Sequence, residues 1–433
     1  MLRDADVSNH LREYMSRDVD PLTPIKERPL RQSSPKEVAA GIPAVISTLS
    51  HGLSRMGAIK SVSNLTRVNS FGGFDCPGCA WPDPDDERTV FEFCENGAKA
   101  VADEGTKARA DPEFWSNWSV VELSRKSDRW LNSQGRLTHP MVLRPDSIHY
   151  EPISWDSAFG IIAEQLSELD NPDEAIFYTS GRTSNEAAFL WQLLARRLGT
   201  NNLPDCSNMC HESSGVALGD SIGIGKGTVK LEDFSKADLI LVVGQNPGSN
   251  HPRMLSALKA AKVAGASVVS INPLFETGMR RFKHPQDPLE VIGQGTTIAD
   301  MHVPVNVNGD LALFRGLSKS IISGSGIDYN FISKYTSGYD EYERAVADSS
   351  WDEIVSASGV ARHDIEKLAA AMRASSSTIV CWAMGLTQHH NSVATIQEIA
   401  NTLLLGGHIG RPGAGLCPVR GHSNVQGDRT VGI

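Results

Sequence analysis

The sequence has no apolar run of about eighteen residues, so no helix long enough to span a bilayer is expected. It has no basic excess: 41 Lys and Arg stand against 51 Asp and Glu, a net charge of -10. That balance argues against a nucleic-acid glove, which needs a cationic face, and fits a soluble protein with a small substrate. The N-terminus, MLRDADVSNHLREYMSRDVD, has no charged-then-apolar signal layout. The polar stretch from Arg28 to Ser34 has no twin-arginine pair followed by an apolar region, so the cytoplasm is the expected location. Cysteine is sparse and odd in number, seven in 433 residues with three clustered near residue 80 and two near 208, which points to metal or redox chemistry rather than a disulfide framework. No G-x-G-x-x-G fingerprint is present. GIGKG, Gly223 to Gly227, lacks the Lys-Ser or Lys-Thr ending of a phosphate loop and reads as a glycine loop between elements.

What remains is ordinary globular composition, 40% hydrophobic and 21% charged, over a length that implies about three domains. Residues 1–65 are polar and read as an arm with one short helix near Pro43 to Met56. Residues 66–150, rich in Gly, Pro, Cys and Trp, read as a small loop-rich domain that needs a metal staple. Residues 151–205 begin α/β structure. SWDSAFGIIAEQLSEL has a helical period with Ser154 or Asp156 as cap, EAIFYTSG reads as a buried strand, and SNEAAFLWQLLARRLG reads as a helix ended by Gly199. Residues 206–433 hold the clearest unit: strand DLILVVGQN, helix PRMLSALKAAKVAG, strand ASVVSINPL. A strand, crossover helix and strand imply a parallel pair in a doubly wound, Rossmann-like sheet. GDLALFRGLSKSIIS and NSVATIQEIANTLLLGG add helices and STIVCWAMG a strand.

Three groups of residues carry chemistry. In CPGCAWPDPDDERTVFEFC, Cys76 and Cys79 form a C-x2-C hook and Cys94 follows fifteen positions later. Thiolates so spaced can grip a soft metal from a tight loop; zinc, an iron–sulfur cluster and plain buried thiols are all compatible. In CSNMCHESSG, Cys210 and His211 are adjacent, and the SSGVALGD that follows reads as a helix start. The helix dipole stabilises a thiolate there and a neighbouring imidazole can move protons; the plainer alternative is a half-buried thiol beside a surface histidine. The third group is the set of strand-end loops GQNPGSNHPR, GLTQHHN and PVRGHSNVQG. Ligands of open parallel sheets sit beyond the carboxyl ends of the strands, where Gly244, Asn246 and Gly248 offer backbone N–H groups and an amide. Arg420 is either a surface cation or a bidentate holder of an anionic substrate.

Taken together, CPGCAWPD, NMCHESSG, VGQNPGSNHPRMLSALKAAKVAGASVVSINP, IADMHVPV, WAMGLTQHHN and HIGRPGAGLCPVRGHSNVQG resemble the molybdopterin oxidoreductases of the dimethyl sulfoxide reductase superfamily. The likeness is closest to formate dehydrogenase catalytic subunits and runs from about Phe71 to Ile433. It implies molybdenum or tungsten held by two pterin guanine dinucleotides plus one protein ligand, here Cys210, with His211 beside it and Arg420 on the substrate side. It implies cofactor contacts at Gly244, Asn246, Asn272, Asp300, Gly385 and Gln388, with Lys99 between pterin and cluster. It implies an iron–sulfur cluster of the 4Fe–4S type at Cys76, Cys79 and Cys94, electrons leaving to a separate partner, and formate or another small oxyanion or organic oxide as substrate.

The chain departs from that pattern at three places. The family's pattern is C-x2-C-x3-C, and at its third position, four after Cys79, stands Asp83 in place of Cys. Either Asp83 ligates iron through oxygen, or the cluster is three-Cys, altered or absent. Lys99 is five after Cys94, a longer offset than the family's. His422 stands where formate dehydrogenases carry Gln. The ending SNVQGDRTVGI does not read as a domain end, so the chain reads as an N-terminal part without the family's C-terminal β-barrel, expected to bind the full cofactor poorly. The rival readings are a non-catalytic redox or scaffold remnant of the same fold and a zinc-stapled nucleotide-binding protein.

Overall fold

A computed structural model describes residues 34–86 and 88–433. The polar arm expected before residue 34 lies outside them. Among the described residues, no helix is long and apolar enough to cross a membrane.

The core is a five-stranded, wholly parallel sheet. Its strands are β1 (Leu239–Val243), β2 (Ser267–Ile271), β3 (Met301–Val303), β4 (Thr378–Trp382) and β5 (Gly415–Pro418), in spatial order β5-β4-β1-β2-β3. Every residue of β1 and β4 is buried. That explains why LILVV and TIVCW are continuous apolar runs: a parallel strand with helices on both faces has no wet side. Alternation divides the two faces. Leu239, Leu241 and Val243 join Leu313, Phe314, Leu368 and Ile399 on one side, while Ile240 and Val242 join Met254, Leu255 and Leu258 on the other.

The covering helices fall where the 3.6-residue period puts them. They are α2 (Cys206–Ile222), α3 (Met254–Val263), α4 (Asp310–Ser323), α5 (Arg362–Ala374) and α6 (Ser392–Leu405); α1 (Asn185–Leu198) precedes them and packs on the C-terminal helix Val425–Thr430. Ser184 caps α1 through the Ala187 N–H, and Gly199 ends it in the left-handed region at φ 108°. From β1 the chain winds outward through β2 and β3, then returns to place β4 on the other side of β1. The carboxyl ends of β1 and β4 therefore form a topological switch point, the place where such sheets bind ligands.

Two sequence expectations change. EAIFYTSG is not a sheet strand: it makes one isolated bridge, Thr179 to Asp205. Phe177 and Thr179 do donate to the carbonyls of Asn202 and Pro204, but Pro204 has no N–H to continue a ladder. The domain bounds also differ. One compact unit combines residues 35–50, 62–100 and 176–433, and a second combines 51–61 with 101–175. The cysteine loop belongs to the first because Trp81 is buried on the sheet's second face, edge-on to Phe234 at 5.4 Å between centroids. The second unit is made of short helices and two-residue strand pairs around Met56, Ala102 and Val101. It carries an aromatic group in which Trp118 and Trp130 meet edge-on at 5.0 Å. Its helix Trp155–Ser167 starts at the Ser154 cap and buries none of its residues.

Candidate functional site

Asp205 caps α2 by accepting from the Asn208 N–H at 2.8 Å. The first turn runs through Cys210, and the backbone leaves helical geometry at His211 (φ −143°, ψ 21°) before the helix resumes. Cys210 thus lies at the end of a separate turn rather than at the start of the long helix. The kink interrupts the i to i−4 ladder and releases backbone carbonyls. Partners from other strand ends take them. Gln388, in the loop after β4, donates to the carbonyls of Met209 (2.9 Å) and Cys210 (3.3 Å). Arg420, just beyond β5, donates to the carbonyls of His211 (3.3 Å) and Gly225 (3.2 Å).

Arg420 is itself fixed from behind. His251 Nε2 donates to its carbonyl at 2.8 Å, leaving His251 Nδ1 to accept from Gln245 at 3.4 Å. The guanidinium is buried, and burial, with Arg429 adding repulsion, lowers its pKa to about 10. It remains a cation at neutral pH. His211 is fully buried; burial first and Arg420 second push its pKa down to about 3, so its imidazole is neutral. Ser214 Oγ accepts from the Trp382 indole N–H at 3.0 Å and lies 3.1 Å from His211 Nδ1. With its own proton free for Nδ1, the hydroxyl favours the tautomer protonated at Nε2. Among the described residues, His211 Nε2 has no partner in hydrogen-bonding geometry, and the Val419 backbone acts against burial and Arg420 by raising the ring's pKa.

The Cys210 thiol is half-buried. Burial, then Cys206 and Asp205, raise its pKa to about 11, with Arg420 acting the other way. Without a bound cation it stays protonated. A metal ligated there displaces that proton, since the thiolate is the ligating form. Cys206 Sγ lies 2.8 Å from His422 Nδ1, so His422 is turned toward a thiol of the same turn.

Gly244 ends β1 at φ +55° and its carbonyl accepts from the Gly385 N–H at 3.0 Å. A Cβ on Gly244 would fall 2.9 Å from the Gly385 carbonyl carbon, so only glycine permits this approach. Asn246 caps the short helix Pro247–Asn250, and Asn272 follows β2 with its N–H on the Val303 carbonyl. Gln245, Asp310, His389 and Asn391, all past carboxyl ends of strands, carry buried side-chain polar atoms without a hydrogen-bond partner. Native interiors seldom leave such atoms unsatisfied, and a polar ligand lying along this edge would supply partners. Asp310 is the one sequence reasoning should have found. It follows β3, burial raises its pKa to about 7, and the Gly-Asp pair opening an apolar helix was its signal.

Asp300 goes the other way. It precedes β3, at the amino edge of the sheet, where it accepts from the Val268 N–H and is ion-paired with Lys262. The expected cofactor contact is thus placed at the edge opposite the other candidates.

The C-x2-C hook is shaped by Asn69, a buried residue at φ 55°. Its Oδ1 accepts from the Cys76 N–H at 2.7 Å, and its Nδ2 donates to the Glu92 carbonyl at 2.8 Å, joining both arms of the loop. Gly78 and Gly97 N–H groups point at Cys76 and Cys94 Sγ at 3.4 and 3.3 Å, contacts of the kind that tune cluster sulfurs. A Cβ on Gly97 would fall 2.9 Å from Cys76 Sγ. Asp83 is committed elsewhere: its carboxylate pairs with Arg253 at 2.6 Å and Arg88 at 3.8 Å. Both Asp83 oxygens face guanidinium groups, an arrangement that favours the alternatives in which it is not an iron donor. Lys99 pairs with Glu95 at 2.6 Å on its own helix.

A family model described as molybdopterin oxidoreductase matches residues 136–430. The chain belongs to the molybdopterin oxidoreductase family. It is 54% identical over 428 residues to an uncharacterized oxidoreductase of Mycobacterium tuberculosis, covering 98% of this chain and 55% of that protein. It is 47% identical over 402 residues to protein YdeP of Escherichia coli, covering 87% and 53%. Formate dehydrogenase H of Escherichia coli is 31% identical over 363 residues, covering 79% and 48%. The chain therefore spans about half the length of the curated relatives it matches. Among solved structures, acetylene hydratase from Pelobacter acetylenicus shares the fold, with a TM-score of 0.53 at 21% identity over 63% of this chain and 35% of that one. The resemblance read from the motifs and the α/β class both hold.

Proposed function

We propose that the whole protein is a formate-dehydrogenase-like oxidoreductase carrying molybdenum or tungsten on two pterin guanine dinucleotides, with Cys210 as the protein ligand. The reading rests on one observation above all: Cys210, the neutral His211 and the cationic Arg420 meet at the switch point between β1 and β4, locked by Gln388 and Arg420 onto carbonyls released by the kink. The pterin-held metal, when bound, supplies the two-electron redox step.

The residues present fit such a group. A half-buried thiol stands ready as a soft ligand, the Gly244–Gly385 contact leaves the strand ends bare of side chains, and unpartnered polar atoms follow β1, β3 and β4. Arg420 keeps its charge and holds a small oxyanion by charge-assisted hydrogen bonds. His211, neutral near pH 7 with its proton on Nε2, offers that N–H as a hydrogen-bond donor to a small oxyanion. Burial around His211 excludes water from the same point. Formate is the first substrate choice, and other small oxyanions or organic oxides follow.

Cys76, Cys79 and Cys94 would hold an iron–sulfur cluster, expected to be 4Fe–4S, that passes electrons to a separate partner. Among the described residues, the trio of ligand atoms drawn within 4.8 Å is Cys206, Cys210 and His422, not the hook. A wider set of thiols, each of two accepting an N–H, suits a multi-iron cluster better than one zinc ion. Gly244, Asn246, Asn272, Gly385 and Gln388 are assigned to the pterin nucleotides.

Elemental analysis with guanine-nucleotide release on the full-length protein tests this reading. Molybdenum or tungsten with two nucleotides per metal, and iron, is the expected result; colourless zinc protein without nucleotide overturns it. Formate-dependent dye reduction tests the substrate, and Arg420→Lys should raise its KM roughly 10- to 100-fold, the worth of one charge-assisted bidentate contact.

A further inference from the structure

We infer that Cys206, Cys210 and His422 form a binding site for a single thiophilic divalent cation of the zinc class in the protein that lacks its pterin cofactor. The inference shares Cys210 with the function proposed above but does not need it. Cys206 and Cys210 are four apart on one helical turn, so both thiols leave the same face. His422 reaches that face from the loop beyond β5. One ligand atom from each residue lies within 4.8 Å of the other two, and His422 Nδ1 is already 2.8 Å from Cys206 Sγ. A tetrahedral zinc bonded at about 2.3 Å holds two sulfurs about 3.8 Å apart, so side-chain motion of about an ångström closes the site.

The surroundings are built around this trio. A Cβ on Gly181 would fall 3.0 Å from His422 Cβ and 3.3 Å from Cys206 Sγ, so glycine leaves room for the pair. The Gly181 carbonyl accepts from the Asn424 N–H at 2.7 Å, which fixes the His422 loop against the Cys206 turn. Asp205, fully buried at the head of the turn, keeps Oδ2 unpartnered beside the thiols. Two thiolates and one imidazole leave a fourth position open to water, the donor set of an exchangeable rather than a closed structural site. Binding releases the two thiol protons to solvent. A cation so held occupies the only thiol the pterin-bound metal would use, so it must leave before that metal is ligated.

The test uses full-length protein made in cells unable to synthesise the pterin, kept reduced and titrated with cadmium against a competing chelator. The parent should show a thiolate-to-cadmium ultraviolet band, with at least one equivalent lost in Cys210→Ser. Cys206→Ser and His422→Gln should each weaken that equivalent more than the roughly 10- to 100-fold expected for a supporting residue. His422→Gln, the milder change, serves if Cys206→Ser fails to fold. Unchanged cadmium affinity in His422→Gln, or loss of uptake only when Cys76, Cys79 and Cys94 are replaced, overturns the inference. Absence of both molybdenum and tungsten from the protein made in cofactor-competent cells, with cadmium uptake intact, would sink the proposed function and leave this site standing.

Discussion

The two thiol groups of this chain are built by different physics. Cys76, Cys79 and Cys94 are organised by the loop that carries them: Asn69 ties its two arms, and glycines bring N–H groups onto the sulfurs. Cys206 and Cys210 sit on one helical turn, and nothing within that turn makes them reactive. Their chemistry comes from contacts that span 178 to 217 positions: Gln388 on Cys210, Arg420 on His211, His422 on Cys206 and, at 2.6 Å, Arg429 on Glu212. A local site is written in spacing; a remote one is written in topology.

The sharpest way to break this division is to exchange the losses. In the full-length protein, Cys210→Ser should abolish turnover and leave iron content unchanged, whereas Cys79→Ser should remove iron. Equal iron loss in both would show that the two groups are one site. Next in size is Arg253→Met. Arg253 joins Asp83 and Glu92, each at 2.6 Å and all less than a fifth exposed, and anchors the cysteine loop to the start of α3. Its removal strands two carboxylates and should lower stability by about 3 kcal/mol in chemical denaturation. A loss below about 1 kcal/mol would mean that Trp81 alone seats the loop.

A pH series sharpens the other half. His211 has its folded pKa near 3, below the ordinary value of about 6.5. Between those values the unfolded chain binds the extra proton, so stability present above pH 6.5 is lost as pH falls toward 3. His211→Gln should reduce the steepness of that acid loss by up to about 1.4 kcal/mol per pH unit. An unchanged slope would mean the ring is accessible. The smallest effect belongs to Trp382→Phe, which removes the indole N–H from Ser214. About 1 kcal/mol of stability should go, with kcat falling and KM little changed, because the lost bond orients His211 rather than substrate.

Much of the fold was legible for a simple reason. LILVV and TIVCW are too apolar and too short for anything but doubly covered strands, and Ser184 and Gly199 bracket their helix by backbone chemistry that acts within one turn. EAIFYTSG looked equally apolar, and its strand pairing failed on Pro204, a residue outside its own window. Asp300 and Asp310 show the same limit. Both are acids near a strand, ten positions apart, and only the direction of β3 separates the amino edge from the carboxyl edge.

Sequence alone determined the strands and helices of the parallel sheet, the C-x2-C hook and the family motifs, because each depends on residues within a few positions of one another. Tertiary structure decided which of those motifs meet. The winding order β5-β4-β1-β2-β3 brings Gly244 against Gly385, turns the His211 kink toward Arg420, pairs Asp83 with Arg253, and sets His422 against Cys206. Those pairings depend on through-space distance and burial, which no spacing along the chain encodes.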